Sequence, residues 1–239
     1  NITRSCILVL IAIILLEMNV YSKKPFTVND AMKFKSIRGT VISDDGYSVA
    51  YTLVPERGDP KSIIYYSWQD STVIESEKTG AQQISYFTSD TNYTVERASK
   101  PEFSKNSKWV SMVLNPKAYE SDNATTDKPK SGLVLLNVTT GKNWQFEKVQ
   151  KYEFSNDSKY IAYLLHSEQS TNKDSKSKKI VGSDLYLRYL DGESEILFQN
   201  VTEFAFDTNS TYLAYVVATS DGKKNGVYYL DLASNFLFP

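Results

Sequence analysis

The sequence has one cysteine, Cys6, and one histidine, His166, among its 239 residues, and it is low in glycine and proline. A single cysteine excludes an intramolecular disulfide, and these two residues cannot supply the usual zinc ligand sets. The sequence also lacks a glycine-rich phosphate loop and an Asp-x-Asp-x-Asp-Gly calcium loop. We therefore expect no cofactor and no metal, and we name no cofactor-binding or metal-ligating residue.

An excess of charge is missing too. The 27 Lys and Arg residues and the 28 Asp and Glu residues give a formal net charge of −1. This balance gives no electrostatic reason to expect nucleic acid or anionic lipid as a partner. What the sequence does have is 41% apolar residues, with 17 Tyr and 11 Phe. That composition excludes a disordered or collagen-like chain and favours half-buried strands.

Long hydrophobic runs are also absent, because the longest one, Cys6–Leu16, has only eleven residues. A transmembrane helix needs about 20 apolar residues. The run follows Arg4, and Val20 and Ser22 fit the −3 and −1 positions of a cleavage site. The pattern predicts a signal peptide at 1–22 and an exported protein, periplasmic or secreted, with no stable membrane insertion after cleavage. A membrane anchor and a buried helix are the alternatives.

An internal repeat organises the rest of the chain. Each copy has an apolar residue, a polar quartet with Asp or Asn in third place, and an aromatic or β-branched run. The four copies are 42–51, 103–112, 154–163 and 206–215. Such a pattern predicts a strand, a tight turn and a second strand buried on both faces. Only the first copy has glycine, Gly46, in fourth place; in the others we expect the left-handed residue one step earlier.

The remaining strands of each unit repeat as well. Short strands recur nineteen and ten residues before the next copy, at Ile84, Leu135 and Leu187 and at Tyr93, Trp144 and Ile196. Four strands in about fifty residues are typical of a β-propeller blade, whereas a β-sandwich has no reason to repeat at a fixed period. We predict an all-β fold, an incomplete propeller of about four four-stranded blades over 37–239. The expected blades are 37–99, 100–150, 151–202 and 203–239.

An N-terminal arm, 23–36, precedes the first blade. Thr27 and Asp30 form a capping-box pattern that predicts a short helix over Thr27–Lys35, and an irregular arm is the alternative.

Three long polar segments interrupt the blades. They are Val54–Gln82, with a possible hairpin of Ile63–Trp68 against Thr72–Glu75, then Asn115–Ser131 and Ser167–Ser183. We expect them at one face of the propeller, either as binding loops or as solvated surface.

Catalytic motifs are absent from the sequence. There is no G-x-S-x-G elbow, and Gly192–Ile196 lacks the closing glycine. The sequence has no nucleophile motif for which His166 could act as general base, so we interpret His166 as a surface residue and name no catalytic residue. Asn-x-Ser/Thr triplets are uninformative without a known source; they occur at Asn92, Asn123, Asn137, Asn156, Asn200 and Asn209.

The segment Phe154–Tyr163 resembles the repeat of propellers in TolB and in the prolyl oligopeptidase family of serine peptidases. Phe26–Met32 and Ser36–Gly46 are similar to the arm and first blade of exported bacterial members of that family, including the dipeptidyl-peptidase IV-like group. This resemblance implies that the propeller precedes an α/β-hydrolase domain carrying Ser, Asp and His. The propeller would then restrict access to the active site and contact the peptide substrate.

The sequence contains nothing of such a hydrolase domain, so we expect the chain to be a fragment of a peptidase and inactive alone. Dipeptidyl peptidases of the family carry a paired-glutamate motif, and no Glu-Glu pair occurs here. Either that motif lies beyond Pro239 or the parent protein is not a dipeptidyl peptidase. Two rival functions stay open, a TolB-like propeller for protein–protein interaction and a propeller that binds polysaccharide or another ligand.

Overall fold

The computed structural model describes residues 27–31, 34–67, 90–126, 128–167, 181–192 and 194–233. The predicted signal peptide lies outside the described residues. The chain divides into two units, 1–34 and 35–239.

The first unit contains a short helix, α1, Val28–Ala31. The backbone N–H of Thr27 donates to Asp30 Oδ2 at 3.1 Å, and the N–H of Asp30 donates to Thr27 Oγ1 at 3.2 Å. These reciprocal bonds satisfy two N–H groups that a helix start leaves unpaired. The hydrogen bonds of the predicted capping box are therefore present.

The second unit is built almost entirely of antiparallel strands. They are β1 Lys35–Ile42, β2 Ser48–Pro55, β3 Lys61–Ser67, β4 Asp90–Glu96, β5 Ala98–Phe103, β6 Trp109–Leu114, β7 Gly132–Asn137, β8 Asn143–Phe146, β9 Val149–Phe154, β10 Tyr160–Leu165, β11 Ser183–Tyr189, β12 Glu195–Phe206, β13 Tyr212–Val217 and β14 Gly226–Asp231. One helix, α2, Ala118–Asn123, lies between β6 and β7. Neither helix of the described residues is long and apolar enough to span a lipid bilayer.

The strands form three sheets in which sequence neighbours pair. Two have four strands, β1–β4 and β5–β8, and the third has six, β9–β14. The long strand β12 belongs to two blades, because its pairing partner changes from β11 to β13 and its register shifts between Val201 and Glu203. The third blade is therefore β9–β11 with the first half of β12, and the fourth is the second half of β12 with β13 and β14. The predicted all-β, incomplete propeller is confirmed.

The third strand of blade 1 differs from the prediction. β3 pairs with β2 and with β4, where Ile63 opposes Thr94, so the predicted hairpin of Ile63–Trp68 with Thr72–Glu75 is wrong. Ile64 on this strand is fully buried against blade 2, and this burial selects β3 as a blade strand. The expected strand at Ile84 and the segment Thr72–Glu75 lie outside the described residues.

Blades 2 and 3 each contribute side chains to the cores on both of their faces. On β6, Val110 packs against blade 1, whereas Trp109 packs against blade 3. Successive strand residues point to opposite faces, so a strand between two blades must be apolar at nearly every position. This explains the continuous runs in the sequence. A fully buried side chain such as Leu135 contributes roughly 1.5–3 kcal/mol relative to an exposed one.

Candidate functional site

The repeated quartets form identical turns in the first three blades. In blade 3, the Ser155 hydroxyl donates to Asp157 Oδ1 at 2.7 Å and accepts from the N–H of Tyr160 at 3.0 Å. Asp157 Oδ1 also accepts from the N–H of Lys159 at 3.1 Å. The serine in first place and the Asx residue in third place thus fix the turn from inside.

The left-handed residue of each turn lies in fourth place, not in third place as expected for the copies without glycine. Ser107, Ser158 and Ser210 have φ of 59°, 56° and 55°, and Gly46 has φ of 78°. The Asx side chain is held by bonds within the turn, so the residue after it takes the positive φ. Serine in this place also does something that glycine cannot, because its hydroxyl reaches the preceding blade.

The fourth-place serines connect neighbouring blades through one kind of hydrogen bond, which we call the serine link. In each link the backbone N–H of the third-place residue of one blade donates to the hydroxyl of the fourth-place serine of the next blade. The three links are Asp45 to Ser107 at 3.1 Å, Asn106 to Ser158 at 3.0 Å and Asp157 to Ser210 at 3.0 Å. Sequence reasoning missed this role, although the recurrence of serine in fourth place was a visible signal.

These buried serines form hydrogen bonds between blades, and the geometry of blade 3 excludes a triad with Ser158 as its nucleophile. Ser158 is 3% exposed and precedes β10, whereas His166, the only histidine of the sequence, follows the other end of the same strand. Six residues of extended chain separate the two residues by roughly 20 Å. A serine–histidine pair of the triad type is therefore impossible between them.

The turn of blade 4 has a different first residue, Asp207 in place of serine. One carboxylate oxygen accepts from the N–H of Tyr212 at 2.6 Å, and the other accepts from the N–H of Asn209 at 3.1 Å. The donation from Tyr212, with further backbone N–H groups, lowers the pKa of Asp207 below its usual value. This turn therefore satisfies its third-place N–H internally.

Loops at the opposite ends of the strands also contact one another from blade to blade. The N–H of Ala118, at the start of α2, donates to Asp59 Oδ1 at 2.6 Å, which joins the β6–β7 loop to the β2–β3 loop. The N–H of Gly182 donates to the carbonyl of Ala218 at 2.9 Å, which joins the loops of blades 3 and 4. The β2–β3 loop has only residues 56–60. Residues 68–89, which hold most of the long polar segment expected in blade 1, come after β3 in the sequence and lie outside the described residues.

His166 lies at this loop end of blade 3. Its backbone N–H donates to the carbonyl of Lys148 at 2.7 Å. Burial, followed by the positive charge of Lys130, lowers the pKa of its imidazole, so the side chain is neutral at pH 7. Within the described ranges, no group of three or more His, Cys, Asp or Glu residues could hold a metal ion.

An ion pair of blade 3, buried at its arginine but not at its glutamate, packs against blade 2. Arg188 donates to Glu195 Oε1 at 2.7 Å, and the Tyr163 hydroxyl donates to the same oxygen at 3.0 Å. The Arg188 guanidinium lies 5.0 Å from the ring centre of Trp144. Burial and the negative charge of Glu195 raise the pKa of Tyr163. Because aromatic rings enclose this arginine, we interpret the cluster as packing between blades.

The first strands of the blades form an inner edge with charges of both signs. β1 contacts β5, and Lys151 Nζ on β9 donates to the carbonyl of Phe204 on β12 at 2.7 Å, so these strands converge. Exposed charged residues of this inner edge are Lys35, Arg38, Lys100, Glu102, Lys151 and Glu203. Blades surround a central channel in a propeller, so the inner edge is the candidate surface for contact with a ligand.

The incomplete Gly192–Ile196 motif and the acidic residue Asp45, which the sequence analysis did not assign to a site, are not part of the inner edge. Ser194 of the incomplete Gly192–Ile196 motif lies between β11 and β12, in a strand-to-strand connection. Asp45 lies in a turn and accepts from the N–H of Tyr47 at 3.0 Å.

No family model matches the sequence, and no curated protein matches it at the significance level applied. Solved structures do match the fold. The propeller domain of the Trilobed protease from Pyrococcus furiosus is 13% identical, with 77% of this chain and 49% of that chain covered and a TM-score of 0.42. An acylaminoacyl peptidase from Pyrococcus horikoshii is 11% identical, with 83% and 32% covered and a TM-score of 0.45.

TolB from Acinetobacter baumannii is 13% identical, with 84% of this chain and 42% of that chain covered and a TM-score of 0.37. The chain thus spans between about a third and a half of the length of the structures that it matches. These identities and TM-scores are too low to transfer the function of any of these proteins to this chain.

Proposed function

We propose that this chain is the propeller part of an exported serine peptidase of the prolyl oligopeptidase family, where it restricts the access of peptides to the active site. The observation that carries the proposal is the resemblance of the segments Phe26–Met32, Ser36–Gly46 and Phe154–Tyr163 to the arm, first blade and repeat of that family. The peptidase activity belongs to an α/β-hydrolase domain of the parent protein, and the chain alone is inactive.

The inner edge suits a passage for peptides. Peptides carry a positive amino terminus and a negative carboxyl terminus. The first strands expose residues of both charges, the positive Arg38 and Lys151 and the negative Glu102 and Glu203. Such a surface weakly attracts either end of a peptide without holding it. A gate needs transient contact of this kind, since tight binding along the passage would slow delivery.

The full reading frame of the parent gene, expressed and purified, tests the activity. A fluorophosphonate probe reacts with an activated serine. We expect it to label the parent protein, and we expect labelling to disappear when the serine of its G-x-S-x-G elbow is replaced by alanine. A reading frame that stops after a closed ring of blades, with no labelled serine, would instead support the TolB-like interaction function.

The gating role is tested by comparing substrates of different size. We expect the parent protein to cleave a peptide of about five residues and to leave the same sequence uncut within a folded protein. The control is the same folded protein after denaturation and reduction, which restores a flexible segment. Equal cleavage rates for peptide and folded protein would contradict gating and leave the peptidase activity intact.

Export is tested by the amino terminus of the mature protein. We expect the mature protein in the periplasm or the medium, beginning at Lys23. A protein that keeps residues 1–22 would contradict cleavage after Ser22 and favour the membrane-anchor alternative.

A further inference from the structure

The first strands of blades 1 and 2 have a β-bulge at the same repeat position of the inner edge. The pairing register of β1 with β2 and that of β5 with β6 both shift there. The first residue of the bulge is Gly39 in blade 1 and Lys100 in blade 2, and their φ angles are 58° and 52°. A bulge bends its strand and turns a side chain away from the direction that regular pairing would give it.

Lys100 holds a backbone conformation that favours glycine. A side chain is strained at a positive φ, whereas glycine is not. The bulge itself does not need a lysine, because Gly39 forms the same bulge in blade 1. Residues kept in strained conformations are concentrated at functional sites. The fold thus carries an exposed cation at a point of the inner edge where glycine would be easier to accommodate.

Arg38 is a neighbour of Lys100 across the joint between blades 1 and 2. It pairs with Thr52, and the side chains of directly paired residues lie on the same face of a sheet. Thr52 shares its face of β2 with Ala50, which packs in the core between blades 1 and 2. The residue after Arg38 is Gly39, where an added Cβ would lie only 3.9 Å from the Cα of Lys100. Two exposed cations therefore meet at this joint.

These two cations are not neutralised within the described part of the chain. Among the described residues, no ion pair at 4.0 Å or less includes Arg38 or Lys100. The acidic residue of β5 is Glu102, which is exposed as well. Burial, followed by the negative charge of Glu102, raises the pKa of the Tyr152 hydroxyl on β9 to about 12. Glu102 thus acts at the next joint, on blade 3, and leaves the joint between blades 1 and 2 positive.

We propose that Arg38 and Lys100 form a binding site for the carboxylate of a peptide substrate. The planar guanidinium of an arginine can donate to both oxygens of a carboxylate, and a lysine ammonium adds a further donor. Because both side chains are exposed, the contact is weak, and it selects peptides by charge without retaining them. The inference rests on the proposed function, since it names the charged group of the peptide that the inner edge recognises.

The experiment measures how tightly the full-length parent protein binds a short peptide that carries an uncharged fluorescent label at its amino terminus. Three forms of the peptide are compared. The first has a free carboxyl terminus, the second ends in a carboxamide, and the third ends in a carboxamide but has glutamate as its last residue. Fluorescence anisotropy gives the Kd of each form. The active-site serine is replaced by alanine so that no peptide is cut.

We expect the free-acid form to bind about fivefold more tightly than the carboxamide form at low salt, the factor that two exposed ionic contacts give. High salt should bring the ratio of the two Kd values close to one. Arg38→Gln and Lys100→Gly should each lower the ratio, and the double variant should abolish it. Lys100→Gly removes strain, so lower stability would not explain its loss of preference. The control is Lys105→Gln, which removes one charge at an exposed turn and should leave the ratio unchanged.

The glutamate form identifies the source of the carboxylate. Binding as tight as that of the free-acid form would show that a side-chain carboxylate is accepted too, whereas binding like that of the plain carboxamide would restrict the site to the carboxyl terminus. Either result supports the site. Equal Kd values for the free-acid and carboxamide forms, or a ratio that persists when Arg38 and Lys100 are both replaced, would overturn the proposal.

This measurement does not depend on catalysis, so it separates the inference from the proposed function. Fluorophosphonate labelling is recorded on the parent protein with its serine intact. A labelled protein that binds both forms equally would reject the carboxylate site and leave the peptidase. An unlabelled protein that shows the expected ratio would reject the peptidase and leave the carboxylate site.

Discussion

Blades 2 and 4 are built from the same repeat but differ in how many of their faces are covered. In blade 2, Trp109 and Val110 point to opposite faces and are 3% and 0% exposed. Their equivalents in blade 4, Tyr212 and Leu213, are 43% and 0% exposed. The same local sequence pattern forms a strand in both blades, whereas the presence of an adjacent blade determines how far that strand is buried. The stability of a blade is therefore largely a property of its joints, as in other repeat architectures.

The largest expected difference between the two blades comes from truncating an apolar side chain. Leu135 of blade 2 is fully buried between two sheets, and Val227 of blade 4 is 77% exposed. We expect Leu135→Ala to lower the free energy of unfolding by about 2–5 kcal/mol, because it leaves a cavity. Val227→Ala should change it by less than about 0.5 kcal/mol. Urea denaturation followed by tryptophan fluorescence measures both, and equal costs would contradict the contrast between covered and open faces.

A smaller effect is expected from the ion pair that the joint between blades 2 and 3 encloses. Glu195→Gln removes the carboxylate charge that lies 2.7 Å from the buried Arg188 guanidinium. The side chain of Glu195 is 29% exposed, so the expected loss is reduced to about 1–3 kcal/mol. The matched control is Lys117→Gln, which breaks the exposed Lys117–Glu120 pair at 3.4 Å and should cost less than about 0.5 kcal/mol. Urea midpoints at low and high salt measure both, and a cost for Glu195→Gln no greater than the control would make the enclosed pair dispensable.

The difference between blades 2 and 4 also shows which features of the fold the sequence could predict. The period, the turns and the runs buried on both faces follow from local chemistry, and they predicted the propeller architecture. The third strand of blade 1 could not be predicted in the same way, because the burial of Ile64 between sheets makes Lys61–Ser67 a blade strand, whereas the nineteen-residue spacing before the next copy pointed to Ile84.

The candidate site was harder to predict for a related reason. The serine link joins residues about fifty positions apart, such as Asn106 and Ser158, and depends on the stacking of blades. The serine is visible in the repeat, but its hydrogen-bond donor belongs to another copy. The inner edge could not be predicted from the sequence either, since Lys151 reaches the carbonyl of Phe204 only when the first strands of neighbouring blades converge.

The serine link gives the next prediction. Ser158→Gly keeps the positive φ and removes the acceptor of the Asn106 N–H, so it should lower the free energy of unfolding by about 1 kcal/mol. Ser158→Ala should cost roughly 1 kcal/mol more, because alanine is strained at φ of 56°. Hydrogen exchange of the Asn106 amide should accelerate in both variants. An unchanged exchange rate at Asn106 would mean that the link does not hold the joint.

The smallest expected effect belongs to the turn of blade 4, whose Asp207 replaces the serine of the other blades. Backbone N–H donation from Tyr212 lowers the pKa of Asp207 in the folded chain, so its carboxylate stabilises the fold above the ordinary aspartate pKa of about 4. This contribution disappears as the pH falls through the lowered value. Asp207→Asn should therefore be slightly less stable than the unchanged chain at about pH 6, with urea midpoints that converge as the pH falls below about 4. Asp122→Asn, at an exposed position in α2, controls for the loss of one charge. If the difference in urea midpoint between Asp207→Asn and the unchanged chain did not vary with pH, the amide oxygen would replace the carboxylate fully. The stability of blade 4 would then not depend on the charge of Asp207.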